Sequence, residues 1–198
     1  MADLNSESNA NHGATRPVLS PDEVTAELLT QVAANATPVA GHDVAVIEEQ
    51  LGRVPRGLVG VGARCACGKP AVTVTLPRLP DGSPFPTVFY LSLPYLVREA
   101  SRLEADGVMA ELNDRLSEQP DLAAAHAAAH ESYVARRRIL GDVEEIAHVS
   151  AGGMPSRVKC LHAMVGYSLS AGPGVCPIGD IALSMIGWDD SVCHCDQA

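Results

Sequence analysis

Near Pro94 the apolar residues of this chain change their spacing, and that single switch narrows the possible folds more than any other feature. Upstream, segments 58–64 (LVGVGAR) and 71–76 (AVTVTL) are short and β-branched. They flank the turn-forming run Cys65-Ala66-Cys67-Gly68-Lys69-Pro70, a pattern that predicts a β-hairpin. Segment 77–86 (PRLPDGSPFP) is too rich in proline for a central strand and carries an Asp-Gly turn signal, whereas 87–91 (TVFYL) reads as a third strand. Downstream the period is helical. The predicted helices cover 95–105, 108–116, 121–140, 156–170 and 179–186, with breaks at Asp106-Gly107, Pro120 and Gly172-Pro173-Gly174. Strands followed by helices imply an α+β fold rather than alternating βαβ units. The expected architecture is a small antiparallel sheet, a hairpin plus a third strand, packed against a predominantly helical C-terminal half.

The remaining organisation follows from local signals. Residues 1–18 lack apolar periodicity and read as a disordered tail. Segment 19–41 reads as an N-terminal helix and linker, with Ser20 as cap, Pro21 in the first turn, and Val24, Leu28, Leu29 and Val32 as its apolar stripe. Asp43 is placed to cap a second helix that stops at Gly52. Segment 42–188 is then a single α+β domain and 189–198 a Cys-His-Cys tail.

Charge and composition exclude several classes. The chain has 198 residues, with 24 acidic against 14 Lys and Arg side chains and a net charge of −10. An acidic balance of this size argues against a sequence-independent nucleic-acid grip, which needs Lys and Arg to neutralise phosphates. No stretch approaches the ~20 apolar residues of a membrane span. The start, Met1-Ala2-Asp3-Leu4-Asn5, has neither a basic region nor an apolar run, so a cytoplasmic protein without a secretory signal is expected. Aromatic residues are only 4%, so the core must be aliphatic, with small residues letting helices approach.

The six cysteines are unevenly placed: Cys65 and Cys67, then Cys160, Cys176, and Cys193 with Cys195 around His194. That density is far below a secreted disulfide scaffold, and clustered thiols in a reducing compartment point to metal. The leading candidate site joins Cys65 and Cys67 in the hairpin loop to Cys160 and His162, because zinc takes about four tetrahedral N/S ligands from separate pieces of chain. Iron–sulfur clusters accept the same thiolates. In a regular helix residues two apart point in roughly opposite directions, so Cys176 rivals His162 for the fourth position. Buried or idle thiols are the plain alternative. The terminal Cys193-His194-Cys195 can capture metal adventitiously or fold back onto the main site.

Two further constellations carry chemistry. Gly152 and Gly153 precede a predicted helix start bearing Arg157 and Lys159, which suits a phosphate or carboxylate, although the order of a Walker loop is absent. A tight loop before a capped helix is the plain reading. On the long alanine-rich helix His126 and His130 share a face, and Glu131 follows. A metal or proton-transfer pair is one reading, and surface histidines beside a packing face are the other; the zincin motif is absent. These residues support an enzyme acting on a phosphorylated or anionic small molecule. Gly152, Gly153, Arg157 and Lys159 would hold the anion with help from Arg78, while His130 and Glu131 would move protons.

Several motifs occur together and in order: Gln50-Leu51-Gly52-Arg53-x-Pro55-Arg56-Gly57; Arg64-Cys65-x-Cys67-Gly68; Pro77-Arg78-Leu79-x-Asp81-Gly82-x-Pro84-Phe85-Pro86-Thr87; and Ser150-Ala151-Gly152-Gly153-Met154-Pro155-x-Arg157-Val158-Lys159-Cys160-Leu161-His162. With these the chain resembles a bacterial family known as domain of unknown function number 501, over roughly residues 44 to 187. The resemblance implies a cytosolic protein whose gene lies near cell-division and polyphosphate-metabolism genes. From that comes a third expectation, a non-catalytic adaptor with a protein partner, linked to septum formation. The family shares Cys65, Cys160, His162 and the His130-Glu131 pair with this chain. It usually has Cys or His where Leu93 stands here, and Asn where Cys176 stands. A relocated ligand would make Cys65, Cys67, Cys160 and Cys176 the thiolate set; otherwise His162 is the fourth ligand or there is no site. The first expectation remains a zinc or iron–sulfur domain whose thiolate site joins the hairpin loop to the Gly-Gly-Met-Pro helix.

Overall fold

A computed structural model describes residues 15–195. Most of the segment read as an N-terminal tail therefore lies outside the described residues. Its final part is seated on the loop after the long helix: the Arg16 amide donates to the Asp142 carboxylate at 2.8 Å, and the Leu19 amide to the Leu140 carbonyl at 3.0 Å.

The described chain forms helices α1 (Ala26–Val32) and α2 (Asp43–Leu51), strands β1 (Leu58–Arg64), β2 (Pro70–Thr75) and β3 (Phe89–Leu91), then helices α3 (Pro94–Ala105), α4 (Val108–Glu118), α5 (Pro120–Ile139), α6 (Leu161–Ala171) and α7 (Pro177–Ile186). The strands make one antiparallel sheet in the order β1-β2-β3. This is the α+β fold that the period switch implies. None of the described helices is long and apolar enough to cross a membrane.

Local chemistry explains where the elements begin and end. The first helix is split, because the Glu23 carboxylate turns back to the Ser20 amide at 2.7 Å and hydroxyl at 2.9 Å, closing a single 3₁₀ turn over Pro21–Glu23. Thr25 then caps α1 afresh through the Leu28 amide. Prolines open α3, α5 and α7 in their first turns, and left-handed glycines end α2 at Gly52 and α7 at Gly187.

The sixth helix starts later than its sequence suggests. Asn113 on α4 takes both backbone groups of Val158, accepting from its amide at 2.8 Å and donating to its carbonyl at 2.9 Å. That pairing holds the segment before Leu161 out of helical conformation. The Glu104 carboxylate then receives the Leu161 amide at 2.6 Å and begins α6.

Helix α6 is the axis of the core, with most of its residues buried against the sheet, α3 and α7. Close approach is made by small residues, as the aromatic-poor composition requires. A Cβ on Gly166 would stand 3.0 Å from the Phe89 carbonyl, and one on Gly179 would overlap the Met164 carbonyl across the α6–α7 crossing. On α5 the buried positions 126, 129, 130, 133, 134 and 137 form one stripe of helical period. Tyr133 in that stripe receives the Val88 amide at 2.7 Å and donates to the Pro86 carbonyl at 3.1 Å, tying α5 to the chain entering β3. Its ring meets Phe89 and Tyr167 edge-on, at 5.6 Å and 5.0 Å.

Candidate metal centre

The hairpin between β1 and β2 is a tight turn. The Gly68 amide donates to the Cys65 carbonyl at 2.8 Å, the Cys65 amide donates to the Lys69 carbonyl at 2.9 Å, and Gly68 takes a left-handed φ of 88°. A half-buried ion pair braces this knuckle. Arg64 forks onto both Asp43 oxygens, at 3.0 Å and 2.8 Å, and also donates to the Gly68 carbonyl at 3.0 Å. The guanidinium holds the Asp43 carboxyl below its ordinary range; burial opposes this and the Ala40 amide assists.

The chain end reaches the knuckle by a second turn. After Gly187 stops α7, the Asp189 carboxylate takes the Ser191 amide at 2.9 Å and hydroxyl at 2.6 Å, and the Val192 amide closes onto the Asp189 carbonyl. His194 then lies buried between two rings, 4.6 Å from Tyr95 and 4.6 Å from Trp188, and its ring nitrogen Nε2 donates to the Asp189 carbonyl at 3.1 Å. The residues flanking His194 deliver their sulfurs to the hairpin. Cys65, Cys67, Cys193 and Cys195 have all four Sγ atoms within 4.8 Å of one another, Cys67 and Cys195 at 3.3 Å. Four sulfurs this close can hold one metal ion.

The electrostatics agree with the geometry. Burial pushes the Cys65 thiol up, but the His194 and Cys67 amides and the neighbouring thiols outweigh it, and its pKa falls to about 7. The His194 amide is 3.3 Å from the Cys65 sulfur. Burial and the adjoining Cys67 and Cys65 sulfurs drive Cys195 the other way, upward. A first thiolate forms readily here and further ones are repelled by it. A bound cation removes that repulsion.

Among the sequence candidates, the structure brings together Cys65 and Cys67 but does not add Cys160, His162 or Cys176 to them. Cys176 is buried beneath α6, with its sulfur 3.8 Å from the Met164 sulfur, and desolvation raises its pKa to about 12. Cys160 and His162 sit at the start of α6, where they form a separate group with Glu104. The two thiols that join Cys65 and Cys67 are Cys193 and Cys195, which the sequence reading gave as either an adventitious metal trap or a segment folded back onto the main site, without choosing. The usable signal was the identical Cys-x-Cys spacing at both places, each beside turn residues.

The other candidates are placed as follows. Gly152 and Gly153 do not open a helix: their carbonyls accept the amides of Lys159, Cys160 and Arg157, and a Cβ on Gly153 would lie 2.7 Å from the Arg157 carbonyl. Their role there is close backbone packing, with Arg157 and Lys159 exposed beside them. Arg78 is bound to Glu145, at 2.7 Å and 2.9 Å, and to the Gly82 carbonyl. His130 is buried with Nδ1 2.9 Å from the Ser150 hydroxyl, while Glu131 next to it faces solvent. His126 is buried too, rather than on the surface, with Nε2 3.3 Å from the Arg157 carbonyl, and burial lowers its pKa.

A family model described as "Protein of unknown function (DUF501)" matches residues 61–184, and the chain belongs to that family. Neither a curated protein nor a solved structure matches it.

Proposed function

We propose that this member of the DUF501 family is a zinc-binding protein whose ion is held by Cys65, Cys67, Cys193 and Cys195 and fastens the end of the chain to the hairpin. The observation that carries this reading is the convergence of four sulfurs within 4.8 Å from two Cys-x-Cys pairs far apart in sequence. A tetrahedral ion with bonds of about 2.3 Å needs its sulfurs about 3.8 Å apart, which fits that spacing. An iron–sulfur cluster places several irons and sulfides between its thiolates, and so requires them further apart than a single ion does. Four protein ligands leave no open coordination position, so the centre stabilises structure and does not activate a substrate. Its position couples three parts of the fold: the knuckle braced by Arg64 and Asp43, the Tyr95 face of α3, and the turn after α7.

Metal analysis of protein purified without added metal tests the reading. Cys65→Ser and Cys195→Ser should each lower bound zinc by about one equivalent per chain. Visible absorption from an iron–sulfur chromophore, or zinc content unchanged in both variants, would overturn it.

A further inference from the structure

We propose that Glu104, Cys160 and His162 form a second metal site, an open one, whose remaining coordination position serves a small molecule bound in the adjoining cleft. This reading does not depend on the four-cysteine centre.

The cleft measures about 610 Å³ and lies between α2, β3, α3 and the start of α6, with Cys160 and His162 in its wall. Helix periodicity builds the other side of the site, since Val97, Ser101 and Glu104 share one face of α3 at i, i+4 and i+7. Nε2 of His162 stands 3.1 Å from the Val97 carbonyl and 3.1 Å from the Ser101 hydroxyl. A carbonyl only accepts, so Nε2 carries the hydrogen in the neutral ring and the lone pair belongs to Nδ1. Nδ1 is 3.1 Å from Glu104 Oε1, and the Cys160 sulfur completes a trio whose donor atoms lie within 4.8 Å of each other.

A protonated imidazole can satisfy the Glu104–His162 pair, which is at ion-pair distance, whereas one ion can hold all three donors together. A proton on Nδ1 bridges to its neighbours one at a time; a divalent ion, with bonds of about 2.0–2.3 Å, satisfies all three at once. The surroundings are those of ligands already oriented. Behind the imidazole is a carbonyl that accepts Nε2–H, and the Leu161 amide fixes the carboxylate at 2.6 Å. Three mixed N, O and S ligands with a vacant fourth position is the pattern of a catalytic ion rather than a structural one.

Two polar atoms in residues of the cleft wall lie buried behind its surface. Gln50 Oε1 and Ser92 Oγ both belong to residues lining it, and both are buried without a hydrogen-bond partner. The Gln50 amide nitrogen donates to the Pro70 carbonyl at 2.8 Å, which fixes its oxygen as the unpaired atom, and Ser92 is only 1% exposed. Much of the remaining wall is apolar, including Leu51, Phe89, Leu91 and Val97. The cleft therefore suits a small, largely apolar molecule that carries one oxygen or nitrogen able to bind the ion.

The test is cobalt(II) loading of the full chain under anaerobic conditions, read by metal analysis and visible spectroscopy, with azide as the probe of the open position. Wild type should bind about two equivalents. His162→Gln should lose about one while keeping the spectrum of the four-thiolate centre, and Cys195→Ser should lose the other. Glu104→Gln provides a second variant should His162→Gln fail to fold. Azide should shift the wild-type cobalt bands and leave those of Cys160→Ser unchanged. About one equivalent in wild type, abolished by Cys195→Ser and untouched by His162→Gln, would overturn this site while sparing the four-cysteine centre. One equivalent abolished by His162→Gln alone would do the reverse. About two equivalents with no response to azide would overturn the open position.

Discussion

Withdrawing the ion from the four cysteines should free the chain end while the sheet and helices stay folded, and Trp188 can report that release. It is the only tryptophan in the chain, and its ring stacks 4.6 Å from His194, the residue between Cys193 and Cys195. Without metal, residues 189–195 keep two ring stacks on His194, worth about 0.5–1.5 kcal/mol each, and two hydrogen bonds of His194, worth about 1 kcal/mol each. With the three hydrogen bonds of the Asp189 turn, worth about 1 kcal/mol each, these contacts come to about 7 kcal/mol. Holding the backbone of the same segment in one conformation costs about 1–2 kcal/mol per residue, or on the order of 10 kcal/mol. The free segment is therefore favoured by about 3 kcal/mol until an ion binds, and thiolate-bound zinc supplies about 10 kcal/mol or more. Steady-state fluorescence with acrylamide quenching is the assay. A strong chelator should shift the emission to longer wavelength and raise the quenching constant, with far-UV circular dichroism nearly unchanged. Cys195→Ser should give the same emission even with zinc present. An unchanged emission in demetallated protein would mean that side-chain packing alone holds the segment, and the reasoning would fail.

Other perturbations test the scaffold around the site. Cys176→Ala should leave metal content unaltered and cost about 1 kcal/mol in urea unfolding, because this thiol only fills the core; loss of metal would show that it is a ligand after all. Asp43→Asn should destabilise by about 2–3 kcal/mol, since it leaves the Arg64 guanidinium without its charged partner. Because the folded Asp43 pKa is depressed, its contribution is fully present above the ordinary aspartate value of about 3.9 and disappears as pH falls through the folded value. Urea midpoints of wild type and variant should therefore converge as pH falls, and a constant gap between the two would contradict the ion pair's role. Gly179→Ala, which drives a methyl into the Met164 carbonyl, should cost about 3 kcal/mol and lower Tm by roughly 6–12 °C by calorimetry. A neutral result there would mean that α6 and α7 can separate freely.

Much of the fold was readable from short stretches of chain. The switch in apolar spacing separated sheet from helices, and the ends of α2, α3 and α5 fall within about two residues of their expected positions because caps are local: Pro94 and Pro120 open helices, and Gly52 closes one. The reading failed where a distant side chain overrides a local signal. Nothing between Gly152 and Leu161 announces that Asn113 will pair both backbone groups of Val158 and delay α6.

The candidate site divides along the same line. Sequence by itself determined that Cys65 and Cys67 share one tight turn, since the Gly68 that shapes it is their neighbour, and that Cys193 and Cys195 have the same spacing. It also marked Cys160 and His162 as metal candidates, although a regular helix would point the two apart. Only the tertiary structure decided which pairs meet. Cys67 and Cys195 are 128 residues apart, and their sulfurs come to 3.3 Å because α7 ends beside the hairpin and the Asp189 turn directs the chain back to it. Cys160 and His162 instead face Glu104, a residue with no sequence link to them, because α3 packs along α6. Ligand spacing is written within a turn; ligand convergence depends on where packed helices bring the ends of a long chain.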